Sequence, residues 1–326
     1  MTKLNFGAAA AAAVLSLGAA AVCAQDAANF PGKTIHIIVP FTAGSATDVA
    51  ARLIGERLNA LWGQPVLVEN RPGAGGTIGI TQVAKADPDG YTVAVVSTGH
   101  VVNDVLYRDL QYDLLKDLAG VAPLVNLPSV LITSAAMGFK NVKELVAAAK
   151  AKPGEFNFGT AGVGSAAHIN SEKFNTAAGI KALHVPLKGT PPILSETMGG
   201  RLHFAWVPSI ASMGPLRDGK LVALAVSTPQ RIAALPEVPT IAEAGYPGGE
   251  FNFWVAMLAP RKTPRDIVGK LNGEINRALN TPEMKDRLAK LGGEPMTMSP
   301  EQFDVFIRQE HDVLGKVMRD AGVKAQ

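Results

Sequence analysis

The chain has 326 residues, of which 47% are hydrophobic and 18% charged, and a formal net charge of +3. Both signs are scattered and no basic block appears, which argues against nucleic acid as a partner. The single cysteine, Cys23, lies near the start; past it there is no thiol for a disulfide or a cysteine metal site, so stability must come from a large core, and the length points to two domains.

Residues 1–24 carry one lysine, a long run of Ala, Val and Leu, and Val22-Cys23-Ala24 ahead of Gln25. This reads as a secretory signal peptide, too short in its apolar run for a spanning helix. Val22 is not the small residue expected before a lipidated cysteine. The mature chain is therefore expected to begin near Gln25 and to work in the periplasm.

Residues 34–39 form a continuous apolar strand that ends on Pro40 and a loop of Phe41, Thr42, Ala43, Gly44 and Ser45. A helix over 49–61 follows, with Ala50, Leu53, Ile54, Leu58 and Leu61 on one face. "PVLVEN" is a second strand, "RPGAGGTIGI" a glycine-rich loop into a short helix, and "DPDGYTVAVVS" a turn and a buried strand ending at Ser97, with Thr98 and His100 beyond it. A strand over 120–126 precedes "LPSVLITS", which opens a new set of elements. That set comprises the helix "NVKELVAAAKAKPG" and the strands "FNFGT", "LHVPL", "LHFAW" and "LVALAVS". "FNFWVAMLAP" is a late apolar strand. Ser299-Pro300-Glu301-Gln302 then caps a helix whose stripe is Phe303, Phe306, Ile307, Leu314, Val317 and Met318. The alternation predicts an α/β architecture with mixed, mainly parallel sheets flanked by helices. The chain changes from one set of strands to the other near 120–126 and near 249–254.

One short pattern occurs twice. "TAGS", from Thr42 to Ser45, returns as "TAGVGS", from Thr160 through Ala161 and Gly164 to Ser165, each time between a strand and a helix. Ser45 with Asp48 resembles a capping box, and Ser165 opens the second helix with His168 in its first turn. Free N–H groups and the helix dipole make such a start a site for carboxylate or phosphate, and two of them facing each other would clamp a small anion. The alternative is a pair of ordinary strand-to-helix turns.

Other motifs fail on detail. "RPGAGGTIG" lacks the Gly-Lys-Ser/Thr end of a P-loop, and "GVGSAA" has no acidic residue at the expected distance for a dinucleotide. Ser165 with His168 or His184 would suit a hydrolase, but no Gly-x-Ser-x-Gly elbow is present. The histidines lie apart, so neither a metal nor a cofactor is expected.

In order, "IVPFTAGSATDVAAR", "VENRPGAGGTIG", "ADPDGYT", "GTAGVGSAAH", "VPLKGT" with "MGGRL", and "LALAVSTPQRIAALPEVPTIAEAGYPG" span nearly the whole mature chain. Together they resemble the extracytoplasmic solute receptors of tripartite tricarboxylate transporters, the Bug proteins. The resemblance implies a type II-like periplasmic binding protein with a ligand cleft between two domains, residues 25–124 with 250–326 and residues 125–249. It implies no catalysis, capture of a small carboxylate, delivery to the membrane subunits of the transporter, and a monomer. The family's ligand loops correspond to residues 41–48 and 160–168, with Ser97, Thr98, His100, Lys188 and Trp206 as further pocket candidates. Where relatives often carry a second glycine, this chain has Ser45. A ligand-presenting sensor for a membrane kinase and a hydrolase on the same scaffold are the alternatives.

Overall fold

The computed structural model describes residues 29–323 and residue 325, so the expected signal segment lies outside the described residues. β1 (Ile35–Val39) runs parallel to β2 (Val66–Asn70) on one side and β3 (Thr92–Ser97) on the other. Ile35, Ile37, Ile38 and Val39 are all buried. A strand covered on both faces by helices loses the alternation of an exposed sheet, which is why this one reads as a continuous apolar run.

The same sheet continues through β4 (Leu118–Leu127), β10 (Phe253–Pro260) and the short β11 (Glu294–Pro295), in the order β11-β4-β10-β3-β1-β2. The second sheet contains β5 (Ser129–Ser134), β6 (Asn157–Thr160), β7 (Leu183–Pro186), β8 (Phe204–Pro208) and β9 (Leu221–Val226), in the order β7-β6-β8-β5-β9. Both sheets are mixed. The parallel part is β2-β1-β3 in the first and β7-β6-β8 in the second, and the remaining pairs are antiparallel. The antiparallel parts follow from the topology, because β4 carries the chain out of the first sheet and β10 brings it back beside it.

The two crossings lie side by side. Leu127 leaves the first sheet, Pro128 intervenes and Ser129 enters the second, one step beyond the stretch 120–126 read from sequence, because Leu127 still pairs with Phe253. On the return, the Ser227 N–H donates to the Ser129 carbonyl at 2.9 Å, and the Ser129 N–H donates to Ser227 Oγ at 3.1 Å. Ser227 Oγ donates in turn to the Phe251 carbonyl at 2.9 Å.

The longer helices among the described residues are α1 (Ala46–Trp62), α2 (Thr77–Ala84), α3 (Val142–Ala151), α4 (Ala166–Ala178), α5 (Thr190–Met198), α6 (Ser209–Arg217), α7 (Arg265–Leu279), α8 (Pro282–Lys290) and α9 (Pro300–Asp320). α1 starts a turn before the apolar periodicity does, because Ser45 caps it and Thr47 and Asp48 stand in its first turn. It stops at Gly63, whose left-handed φ of 64° lets its N–H reach the Asn59 carbonyl. At α9 the capping box is complete: the Ser299 N–H donates to Gln302 Oε1 at 3.0 Å, and the Gln302 N–H donates to Ser299 Oγ at 3.2 Å. Phe303, Ile307, Leu314 and Met318 then bury the stripe against the first sheet.

β8 divides the second core by strand parity. Phe204 and Trp206 pack with Leu131 and Phe174 on one face, while Ala205 and Val207 pack with Val130, Ile132 and Ile193 on the other.

Candidate functional site

The two repeated loops are built on one plan. The Ser45 N–H donates to the Thr42 carbonyl at 3.1 Å, and the Ser165 N–H donates to the Gly162 carbonyl at 3.2 Å. A glycine in the left-handed region precedes each serine, Gly44 with φ 80° and Gly164 with φ 76°. Each serine is the helix cap: Ser45 Oγ accepts from the Asp48 N–H and Ser165 Oγ from the His168 N–H, both at 3.3 Å. Such a cap contributes about 0.5–2 kcal/mol.

The residue at the third helical position then reaches back past the cap. Asp48 Oδ2 accepts the Gly44 N–H at 2.8 Å, and His168 Nδ1 accepts the Gly164 N–H at 3.2 Å. Neither arrangement is the capping box suggested by Ser45 and Asp48, because each serine N–H already has a carbonyl partner in its own loop.

The acceptors differ in charge. Burial alone would raise the Asp48 pKa, but hydrogen bonds from Arg52, Gly44 and Asn70 outweigh it and hold the carboxyl below its usual range. Arg52 Nη2 lies 2.9 Å from Asp48 Oδ1. His168 is pushed the other way: burial, with the neighbouring His184 adding to it, lowers its pKa to about 3. The two rings stack at 4.1 Å with an interplanar angle of 11°. Behind them His184 Nε2 meets Thr160 Oγ1 at 2.5 Å. His168 is therefore neutral near pH 7, and a neutral ring can accept the Gly164 N–H.

Both helix starts open onto one narrow cavity of about 30 Å³. Ser45, Ala46 and Thr47 line it from α1, and Ser165, Ala166 and Ala167 from α4, with Ala161 beside them. The N–H groups of a helix's first turn have no carbonyl partner within the helix, so each start presents donors to this space. Ser97, Ser129 and Thr190 add hydroxyls, and Phe41, Ile193, Trp206, Pro208 and Phe253 form the apolar wall.

Of the residues picked from sequence, Phe41, Ser45, Ser97, Ala161, Ser165 and Trp206 line the cavity. The others sit behind or outside it. Asp48, His168, Thr160 and Gly164 brace the two loops as described. His100 is fully buried and packs against the Phe41 ring at 5.1 Å, while its Nδ1 lies 2.9 Å from the Ser97 carbonyl. Burial lowers its pKa to about 4. Thr98 Oγ1 accepts the Trp254 N–H at 2.7 Å and so joins this region to the returning crossing.

Ala43 and Gly44 are exposed, and a Cβ on Gly44 would meet Pro191 at 3.4 Å. The Lys188 side chain is exposed too; its carbonyl accepts the Thr42 N–H at 3.4 Å, which closes one lip of the cleft. At the other lip Tyr107 Oη donates to the Val163 carbonyl at 2.9 Å. Deeper in, a Cβ on Gly99 would lie 2.4 Å from both the Ala166 nitrogen and the Gly164 oxygen, so only glycine admits this approach.

Ser129, Thr190, Ile193, Pro208 and Phe253 were not picked from sequence. Only the position of Ser129, at the start of the new set of strands, gave any signal.

The tripartite tricarboxylate transporter family receptor profile matches residues 50–323. Protein BugT of Bordetella pertussis is 35% identical over 313 residues, covering 95% of each chain. A protein of R. palustris solved with adipate superposes with a TM-score of 0.88 at 34% identity, over 91% of this chain and 100% of its own. MatC from Rhodopseudomonas palustris, solved with bound malate, gives 0.84 at 32% identity over 88% and 99%. With two mixed α/β sheets, paired crossings and a cavity between them, the chain belongs to the tripartite tricarboxylate transporter receptor family and is a solute-binding receptor.

Proposed function

We propose that this receptor captures a small carboxylate between the helix starts at Ser45 and Ser165 and hands it to the membrane subunits of a tripartite tricarboxylate transporter. The observation that carries this reading is the matched pair of loops lining one cavity. Two sets of first-turn N–H groups favour an anion there. Relatives solved with adipate and malate add support.

The reading includes export to the periplasm under the segment 1–24, action as a monomer, and closure of two domains, residues 25–124 with 250–326 and residues 125–249. It includes no catalysis. Ser165 Oγ accepts a backbone N–H, and the His168 ring faces Gly164 with a pKa of about 3, too weak a base to activate a hydroxyl near pH 7.

Mass spectrometry of solute released by denaturing freshly purified protein, followed by calorimetric titration with that solute, tests the reading. A carboxylic acid that rebinds unchanged is expected. A released solute without an acid group, or one that the protein converts, would overturn it.

A further inference from the structure

Resting on the closure reading above, we propose that Lys173 is a positioning residue. From α4, the helix whose start lines the cavity, it grips the returning crossing at Glu250. With Glu310 of α9 as its counter-charge, it holds the two halves of the receptor in the arrangement that captures solute.

α4 is shared between the halves. Phe174 and Ala178 are buried in the core of the second sheet, with Phe204 and Trp206. Ala166 and Ile169 lie in the core of the first. Lys173 follows Ile169 by four residues and so continues that second face. α4 packs against α9, and α9 belongs to the first half, with Phe303, Ile307 and Met318 buried in its core. A swing of one half about the crossings therefore displaces α4 against α9.

Both helices are anchored on one short stretch of chain. Lys173 Nζ donates to the Glu250 carbonyl. The next residue is Phe251, whose N–H donates to the Ser227 carbonyl at 2.9 Å. Four residues past Glu250, the buried Trp254 donates its Nε1–H to Glu310 Oε2 at 2.9 Å. Residues 250–254 thus take one anchor from α4 and one from α9.

Lys173 and Glu310 are both half-buried. Burial lowers the Lys173 pKa, and the charges of Glu250 and Glu310 oppose it. Burial raises the Glu310 pKa, and the Trp254 N–H and the charge of Lys173 oppose it. The two charges act on each other through space rather than by a shared hydrogen bond. Loss of either leaves the other partly dehydrated without its counter-charge, which is costly, and separation of the halves does the same. The Glu250 carbonyl needs only a donor; Glu310 is what calls for a cation.

Calorimetric titration and solution scattering test this, with the solute recovered by denaturing the unaltered protein and with adipate as a second probe. Lys173→Met keeps the apolar stem and removes the charge; it should weaken binding about tenfold or more and raise the solute concentration needed for compaction. Lys173→Arg should stay within about threefold of the unaltered protein, because the charge and the donor remain. Glu310→Gln keeps an acceptor for Trp254 Nε1 and should weaken binding measurably. Lys173→Met should then cost less on top of Glu310→Gln than it does alone. Lower denaturant midpoints with unchanged affinity and compaction are what a merely structural lysine produces, and would overturn the inference. Glu310→Gln decides the matter if Lys173→Met does not fold, since unchanged affinity there overturns it too. Variants that compact just as the unaltered protein does would leave the closure reading standing. An unaltered protein that binds neither probe, or binds without compaction, would overturn both.

Discussion

Asp48 and His168 hold equivalent places in the two loops, and each accepts the N–H of the glycine that precedes its helix cap. One does so as an ionised carboxylate beside Arg52, the other as a neutral imidazole. His168→Leu leaves the buried Gly164 N–H without an acceptor and should lower unfolding free energy by about 1–3 kcal/mol. His168→Asn should recover most of the loss, since the equally short Asp48 makes the same contact in the other loop. Urea unfolding of the two variants checks this, and equal destabilisation by both would show that the loop does not depend on this acceptor.

The difference in charge has a second effect. The first turn of α1 contains Asp48, whereas the first turn of α4 contains no acid. An approaching anion is opposed at α1 and not at α4. Ser45→Ala and Ser165→Ala should each cost about 0.5–2 kcal/mol of stability, but Ser165→Ala should weaken ligand binding more. Titration of both variants with the co-purified solute reads the ratio, and a larger loss from Ser45→Ala would reverse the assignment of the stronger anchor.

The proposed domain closure would bring Gly99 against the backbone of Gly164 and Ala166. The side chain in Gly99→Ala would sit 2.4 Å from the backbone of Gly164 and Ala166, so the two halves cannot meet as they do here. Ligand affinity should fall at least tenfold, and solution scattering should show no compaction on adding ligand. Normal compaction with normal affinity would mean that the cleft closes elsewhere.

Stability should fall on mild acidification. Burial is the leading cause that lowers the pKa of His100 to about 4, of His168 to about 3 and of His184 to about 4. The unfolded chain takes up protons at about pH 6.5, the folded chain only well below that. The contribution of the neutral rings is therefore complete above about pH 6.5 and is lost as the pH falls toward the folded values. For the fully buried His100 the loss is on the order of 1 kcal/mol per pH unit. Denaturant midpoints measured from pH 7 to pH 4.5 should decline steadily, and a flat profile would count against these burials.

Much of the site was legible because helix starts leave local marks. Gly44-Ser45 and Gly164-Ser165 ahead of helical stretches gave both loops, since the left-handed turn and the cap each restrict residue type. The far wall left no such mark. Ile193 and Phe253 look like any core residue until packing turns them toward the cavity, and Lys188 contributes only its carbonyl, which every residue has. Asp48 was legible as a first-turn acid but not as a brace, because its partner depends on the Ser45 N–H being already bonded to Thr42. The sheets were legible as strands, while their antiparallel halves depend on β4 and β10 lying side by side, a tertiary relationship with no local pattern.

The cavity wall of hydroxyls, methyl groups and rings contains no side chain that gains or loses a proton in the working range. The acidity that governs capture is then the solute's own. Helix-start N–H groups select the ionised form, and a simple carboxylic acid is half ionised at about pH 4. In a compartment whose pH follows the outside medium, a receptor walled in this way keeps its affinity constant for the ion while the supply of that ion varies.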